Sequence, residues 1–122
     1  MITKKQAYED MLAKEKAGGP WAVVSGACVY DPDTNGGCAI GRYLVDLYSP
    51  EMDDGHNARD LFEAYPQIAE LFEDPWSAFW NELQYWHDEA AGWYGDVERG
   101  MVIPDINGFQ SSHKDACCSL LE

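Results

Sequence analysis

Between Gly26 and Leu47 the chain runs Gly-Ala-Cys-Val-Tyr, then Asp-Pro-Asp-Thr-Asn-Gly-Gly, then Cys-Ala-Ile-Gly-Arg-Tyr-Leu-Val-Asp-Leu. A short apolar run enters a turn-rich loop and a second apolar run leaves it. Ala27 to Tyr30 is rich in β-formers and reads as a strand, with Trp21 to Val24 extending it or leading into it. Asn35-Gly36 is a hairpin signal, because both residues accept positive φ. Two registers fit. A two-residue turn pairs Asp33 with Cys38, and a longer loop sets Cys28 opposite Cys38. Beyond the loop, Ile40, Leu44 and Leu47 fall at helical spacing, which favours a short helix over a second strand.

Outward from this segment the chain reads as helices. Thr3 with Gln6 forms a capping box for a helix over 3–17, whose face carries Ala7, Tyr8, Met11 and Leu12. Gly18-Gly19-Pro20 stops it. Ser49-Pro50-Glu51 starts a turn that Asp53-Asp54-Gly55 interrupts. Asn57 caps a helix through Leu61, Phe62 and Tyr65, and Pro66 opens another turn with Ile68, Leu71 and Phe72. The strongest pattern spans 75–92. Asp74 is its expected cap and Pro75 its first residue, and Trp76, Phe79, Trp80, Leu83, Trp86, His87 and Ala90 make one stripe. Gly92 and Gly95 are its expected end. Met101 to Ile103 before Pro104 suggests an edge strand, Asn107-Gly108 a turn, and Ser112 with Asp115 the cap of a last short helix. The expected fold is a single α+β domain. A two- or three-stranded antiparallel hairpin sheet packs on four or five helices, the 75–92 helix lies at the centre, and Trp76, Phe79, Leu83, Trp86, Val29 and Ile40 are buried.

The 122 residues carry 22 acids against 8 lysines and arginines, a net charge of −14. Residues 1–16 hold Lys4, Lys5, Lys14 and Lys16 against Glu9, Asp10 and Glu15, a balance of +1, so the other 106 residues carry −15. That sign argues against a phosphate-binding surface, which needs Lys and Arg to replace counterions. It suits an acidic surface offered to a basic protein, or solubility alone. The first residues hold no apolar signal-like core and no run reaches membrane-spanning length, so neither membrane nor export is expected. Four cysteines in such a chain are expected to stay reduced.

Four constellations have chemical potential. Asp31-x-Asp33-x-Asn35-Gly36 opens like a calcium loop, but Arg42 stands where the twelfth-position Glu should be, and a plain turn explains the same residues. Cys28, Cys38 and His87 are a possible zinc set with Asp88 as fourth ligand or orienter, although the spacing is not that of a zinc knuckle. Cys38 with His87 as base and Asp88 or Gln84 as helper is a possible thiol nucleophile. Asp88 directly follows His87 on a helix, so it points about 100° away. Trp76, Trp80, Trp86 and Trp93 could stack on a ring, but helical spacing makes them core first. Each of these residues also has an ordinary structural role. No cofactor is expected.

The Cys28-Val-Tyr30 strand, the Gly-bearing loop, Cys38-Ala39-Ile40-Gly41, the acidic segment from Glu51 to Gly55, and Leu83-Gln84 with His87-Asp88 together resemble a family of small phage and prophage proteins. The likeness covers about Cys28 to Asp88 and departs at Asp31, where a basic residue often stands. It implies a setting, the bacterial cytoplasm during phage infection, and marks Cys28, Cys38, Gly41, Gln84, His87 and Asp88 as the matching positions.

Three functions follow as expectations. The first is a non-enzymatic accessory protein that blocks a basic site on a host protein, such as a defence or nucleic-acid-binding component, without touching nucleic acid itself. The second is a nucleotide or small-ligand sequestering protein using Tyr30, Arg42, Gln84 and His87. The third is a Cys38–His87 hydrolase or a zinc enzyme.

Overall fold

The structure, a computed structural model, describes residues 1–24, 27–53, 57–98, 100 and 111–121. Five helices dominate it: α1 Lys4–Ala17, α2 Ala58–Ala64, α3 Pro66–Ala69, α4 Phe79–Glu98 and α5 Ser112–Ser119. Helix α4 packs against α1, α2 and α5 and is the axis of the molecule. No helix is long and apolar enough to cross a membrane among the described residues.

This overturns the expected α+β architecture. The β structure is a ladder two residues long, Val23–Val24 (β1) against Ala27–Cys28 (β2), antiparallel, with Val23 opposite Cys28 and Val24 opposite Ala27. No sheet layer covers the helices among the described residues. Asn35-Gly36 does turn the chain, but Asn35, Gly36 and Gly37 all take positive φ (52°, 85° and 80°). Three left-handed residues in a row curl the loop onto itself rather than launching two extended arms. Thr34 N–H donates to Asp31 C=O and Gly37 N–H to Thr34 C=O. After Cys38 the chain coils again. The carbonyls of Cys38, Ile40 and Gly41 accept from Arg42, Tyr43 and Leu44, making a 3₁₀ turn over Gly41–Tyr43 where a short helix was expected.

Local capping is close to expectation. Thr3 Oγ1 accepts from Gln6 N–H at 3.1 Å, and Gly18 ends α1 at φ 76°. Asn57 Oδ1 accepts from Asp60 N–H at 2.8 Å, and Pro66 is the first residue of α3. The cap of α5 is Ser111, one residue before the expected Ser112.

Helix α4 differs at both ends. Asp74 is left-handed (φ 44°), so Pro75 and Trp76 precede the helix, and Ser77 Oγ caps Phe79 N–H at 3.1 Å. Gly92 and Gly95 lie within α4, and Tyr94 between them donates to Glu15 C=O of α1. Trp76 is therefore 51 % exposed rather than buried, and Val29 is half-buried. Phe79, Leu83, Trp86 and Ile40 are fully buried as expected. The expected strand at Met101–Ile103 and turn at Asn107-Gly108 lie outside the described residues.

The core is aromatic. Phe72 meets Trp80 edge-on at 4.9 Å between centroids and Phe62 at 5.1 Å, in the offset arrangements ring quadrupoles favour. Glu15 ties three helices together. Its Oε2 accepts from the Trp86 indole at 2.7 Å, its C=O accepts from Tyr94 O–H at 3.1 Å, and its Oε1 lies 3.5 Å from Lys114 Nζ.

Candidate functional site

The Cys-Ala-Ile-Gly turn is set by a close backbone approach. A Cβ on Gly41 would lie 2.0 Å from Tyr30 O, and one on Gly37 would lie 2.8 Å from Gly41 C. Only glycine admits that contact. Cys38 N–H donates to Val29 C=O at 3.2 Å, which fastens the far end of the loop to the strand segment. Tyr30 N–H in turn donates to Asp53 Oδ1 at 2.6 Å, and Tyr48 O–H donates to Asp53 Oδ2.

Gln84 of α4 lies within hydrogen-bonding reach of the Cys38 thiol. Gln84 and His87, one turn apart, are both buried, as are Tyr30 and Cys38. Gln84 Nε2 donates to Asp88 Oδ1 at 2.9 Å, and His87 Nδ1 lies 3.1 Å from the same oxygen. Adjacency on a helix therefore does not keep Asp88 from His87. Cys38 Sγ accepts from Gly41 N–H at 3.4 Å. The expected site residues Tyr30, Cys38, Gln84, His87 and Asp88 thus share one neighbourhood. Arg42, its guanidinium 5.7 Å from the Tyr43 ring centroid, makes no hydrogen bond to these residues but is near enough for its charge to act on His87.

The chemistry of the cluster is that of a closed interior. Burial pushes the Cys38 thiol up to about 12, outweighing the Gly41 and Ile40 N–H groups that favour the thiolate. The thiol stays protonated at neutral pH, and a protonated thiol is a poor nucleophile and metal ligand. Burial also lowers His87 below its ordinary value, against the pull of Asp88 and with the help of Lys14 and Arg42. Tyr30 is raised by burial first and by Cys38 and Asp88 after it. Gln84 Oε1 and His87 Nε2 are buried without a hydrogen-bond partner among the described residues. No group of three His, Cys, Asp or Glu able to hold a metal occurs among the described residues. The Cys28 side chain of the zinc set lies outside them.

In the calcium-like loop both Asp31 carboxylate oxygens are taken up by the loop itself, while Asp33 is exposed. Asp31 Oδ1 accepts from Asp33 N–H at 2.9 Å, Asp31 Oδ2 from Thr34 O–H, and Asn35 Nδ2 donates to Trp21 C=O. That is a self-satisfied Asx turn.

Two residues enter the neighbourhood without a sequence signal. Lys14 of α1 donates from Nζ to Gly37 C=O at 3.0 Å, and its burial and Arg42 lower its pKa. Trp21 meets His87 edge-on at 5.5 Å and stacks on Tyr94 at 5.5 Å with 24° between planes. An open hollow of about 550 Å³ lies beyond Trp21, edged by Pro20, Ala91, Tyr94 and Glu98. Trp21 thus borders the hollow and touches His87 as well. Neither a protein-family model, nor a curated protein, nor a solved structure matches this chain. The phage-protein likeness rests on the quoted motifs alone.

Proposed function

We propose that this chain is a non-enzymatic binding protein that presents an acidic surface to a basic site on a partner protein. The observation that carries the reading is the charge of −15 on residues 17–122 together with where the cations go. Lys4 pairs with Asp74, Arg59 with Glu63 and Lys114 with Glu15, and Lys14 is held by Gly37. The exposed carboxylates of Asp33, Asp46, Glu51, Asp60, Glu70 and Asp115 have no cation paired to them among the described residues. A surface of one sign speeds encounter with the opposite sign and weakens with salt. The motif likeness to phage and prophage proteins supports a host protein in the bacterial cytoplasm as the partner and blocking of its basic site as the outcome. The buried thiol and imidazole support a structural part for Cys38 and His87 in this reading.

The test is capture from bacterial lysate on immobilised chain at about 20 mM salt, where screening is weak. Basic proteins should be retained and should elute steeply as salt rises toward about 0.3 M. A lysate that yields none at low salt, or retention indifferent to salt, overturns the reading.

A further inference from the structure

Trp76 departs from the stripe it belongs to. Helical spacing puts it on the buried face with Phe79, Trp80 and Leu83, yet half its surface is exposed. The cause is local. Asp74 sits at φ 44°, a region non-glycine residues rarely enter. The Trp80 indole N–H holds that backbone, donating to Glu73 C=O at 3.0 Å and Asp74 C=O at 3.1 Å. The helix therefore starts after Trp76, and the ring is carried outward. Strain at Asp74 and exposure of a large aromatic fall within three residues of each other. An outlier of this kind points to function.

The surroundings say what the ring is for. Trp76 divides two hollows. One of about 460 Å³ is edged by Met1, Pro66, Ala69, Glu70 and Asp74, and one of about 170 Å³ by Arg59, Ser77 and Asn81. Beneath, its ring meets Phe62 edge-on at 6.5 Å, so it stands on the core. Two carboxylates stand on the rim of the larger hollow, Glu70, exposed and unpaired among the described residues, and Asp74, whose side chain is 61 % exposed and paired with Lys4 at 3.2 Å. An exposed indole face beside carboxylates is complementary to one side chain above all others, the flat, weakly hydrated guanidinium. Tryptophan and arginine are also the residues that most often carry binding energy. A second copy of this chain, itself at −14, is repelled from such a rim.

We infer that Trp76 anchors the docking face and that it takes an arginine-bearing segment of the basic partner, with the guanidinium over the indole and Glu70 accepting from its N–H groups. This rests on the acidic-surface reading above and names the place where it acts.

The experiment uses the full chain and a fluorescent hexa-arginine peptide, followed by anisotropy at about 20 mM salt. Trp76→Ala should weaken binding about tenfold and Glu70→Gln about threefold, while Asp46→Asn, on a different segment, should change it by less than about twofold. Trp76→Phe, which keeps an aromatic face, should retain most of the affinity and guards against a folding defect in the alanine variant. Hexa-lysine should bind the parent more weakly than hexa-arginine. If Trp76→Ala binds as tightly as the parent, or the three acid and aromatic sites weaken binding alike, the Trp76 face is overturned while the acidic-surface reading stands. If the parent does not bind hexa-arginine, both fall. A parent dimer that Trp76→Ala converts to monomer gives the face to a second copy and overturns the arginine assignment.

Discussion

At the scale of single residues, two glycines separate what the turn requires from what the helix tolerates. Gly41 has Tyr30 O where a methyl would go, at 2.0 Å, and the opposing atom is backbone that cannot step aside. Gly41→Ala should therefore lower stability by about 3 kcal/mol or more, read from urea midpoints at constant m. Gly92 is exposed within α4, and a Cβ there meets nothing within 4 Å. Gly92→Ala should raise stability by about 0.5–1 kcal/mol. Equal effects from the two would mean the Gly41 contact is not made. His87 predicts a pH dependence. Its folded pKa lies below the ordinary 6.5 because burial penalises the imidazolium. Below about pH 6.5 the unfolded chain gains a proton that the folded chain refuses, so stability is full above that pH and lost as pH falls through it. The loss has a slope of at most about 1.4 kcal/mol per pH unit and stops at the folded value. Denaturation of His87→Asn between pH 7.5 and about 5 should show a shallower decline than the parent. Parallel curves would mean the imidazole is not buried neutral.

Among the elements, the joint at Glu15 is the one most open to test. Trp86 is fully buried, and its indole N–H has Glu15 Oε2 at 2.7 Å. Glu15→Ala leaves that donor without its acceptor and removes the Lys114 contact, so a loss of about 2 kcal/mol is expected. Glu9→Ala, an exposed acid on the same helix, should stay within about 0.5 kcal/mol. Thermal or urea unfolding of the two variants checks this, and matching values would show that α1, α4 and α5 are not joined through Glu15. The caps at Thr3 and Asn57 were legible because a cap is a contact within four residues of chain. The start of α4 was not. Asp74-Pro75 has the cap-and-proline pattern, but Trp80 reaches back to the carbonyls of Glu73 and Asp74 and delays the helix to Phe79.

For the molecule as a whole, charge governs what happens outside the core. With −14 on 122 residues, carboxylates repel one another in the compact state more than in the expanded chain. Raising salt from about 20 to 200 mM should then raise the melting temperature by about 3 °C, equivalent to roughly 1 kcal/mol for a domain of this size. A melting temperature that falls with salt would show that the ion pairs at Asp74, Glu63 and Glu15 outweigh the repulsion.

Composition, charge sign, the helical stripe of Phe79 to Ala90 and the local caps were determined by the amino-acid sequence, since each depends on residues near one another along the chain. So was the list of positions Tyr30, Cys38, Gln84, His87 and Asp88. Their meeting, the curling of Asn35 to Gly37 in place of a hairpin, the continuation of α4 through Gly92 and Gly95, and the outward turn of Trp76 were decided by the tertiary structure. Each of these depends on a partner far along the chain or on a backbone conformation that the packing enforces: Tyr30 against Gly41, Glu15 of α1 against Tyr94 of α4, Trp80 against the Glu73–Asp74 backbone. Periodicity records which face of a helix is apolar; it does not record where neighbouring segments let that helix begin.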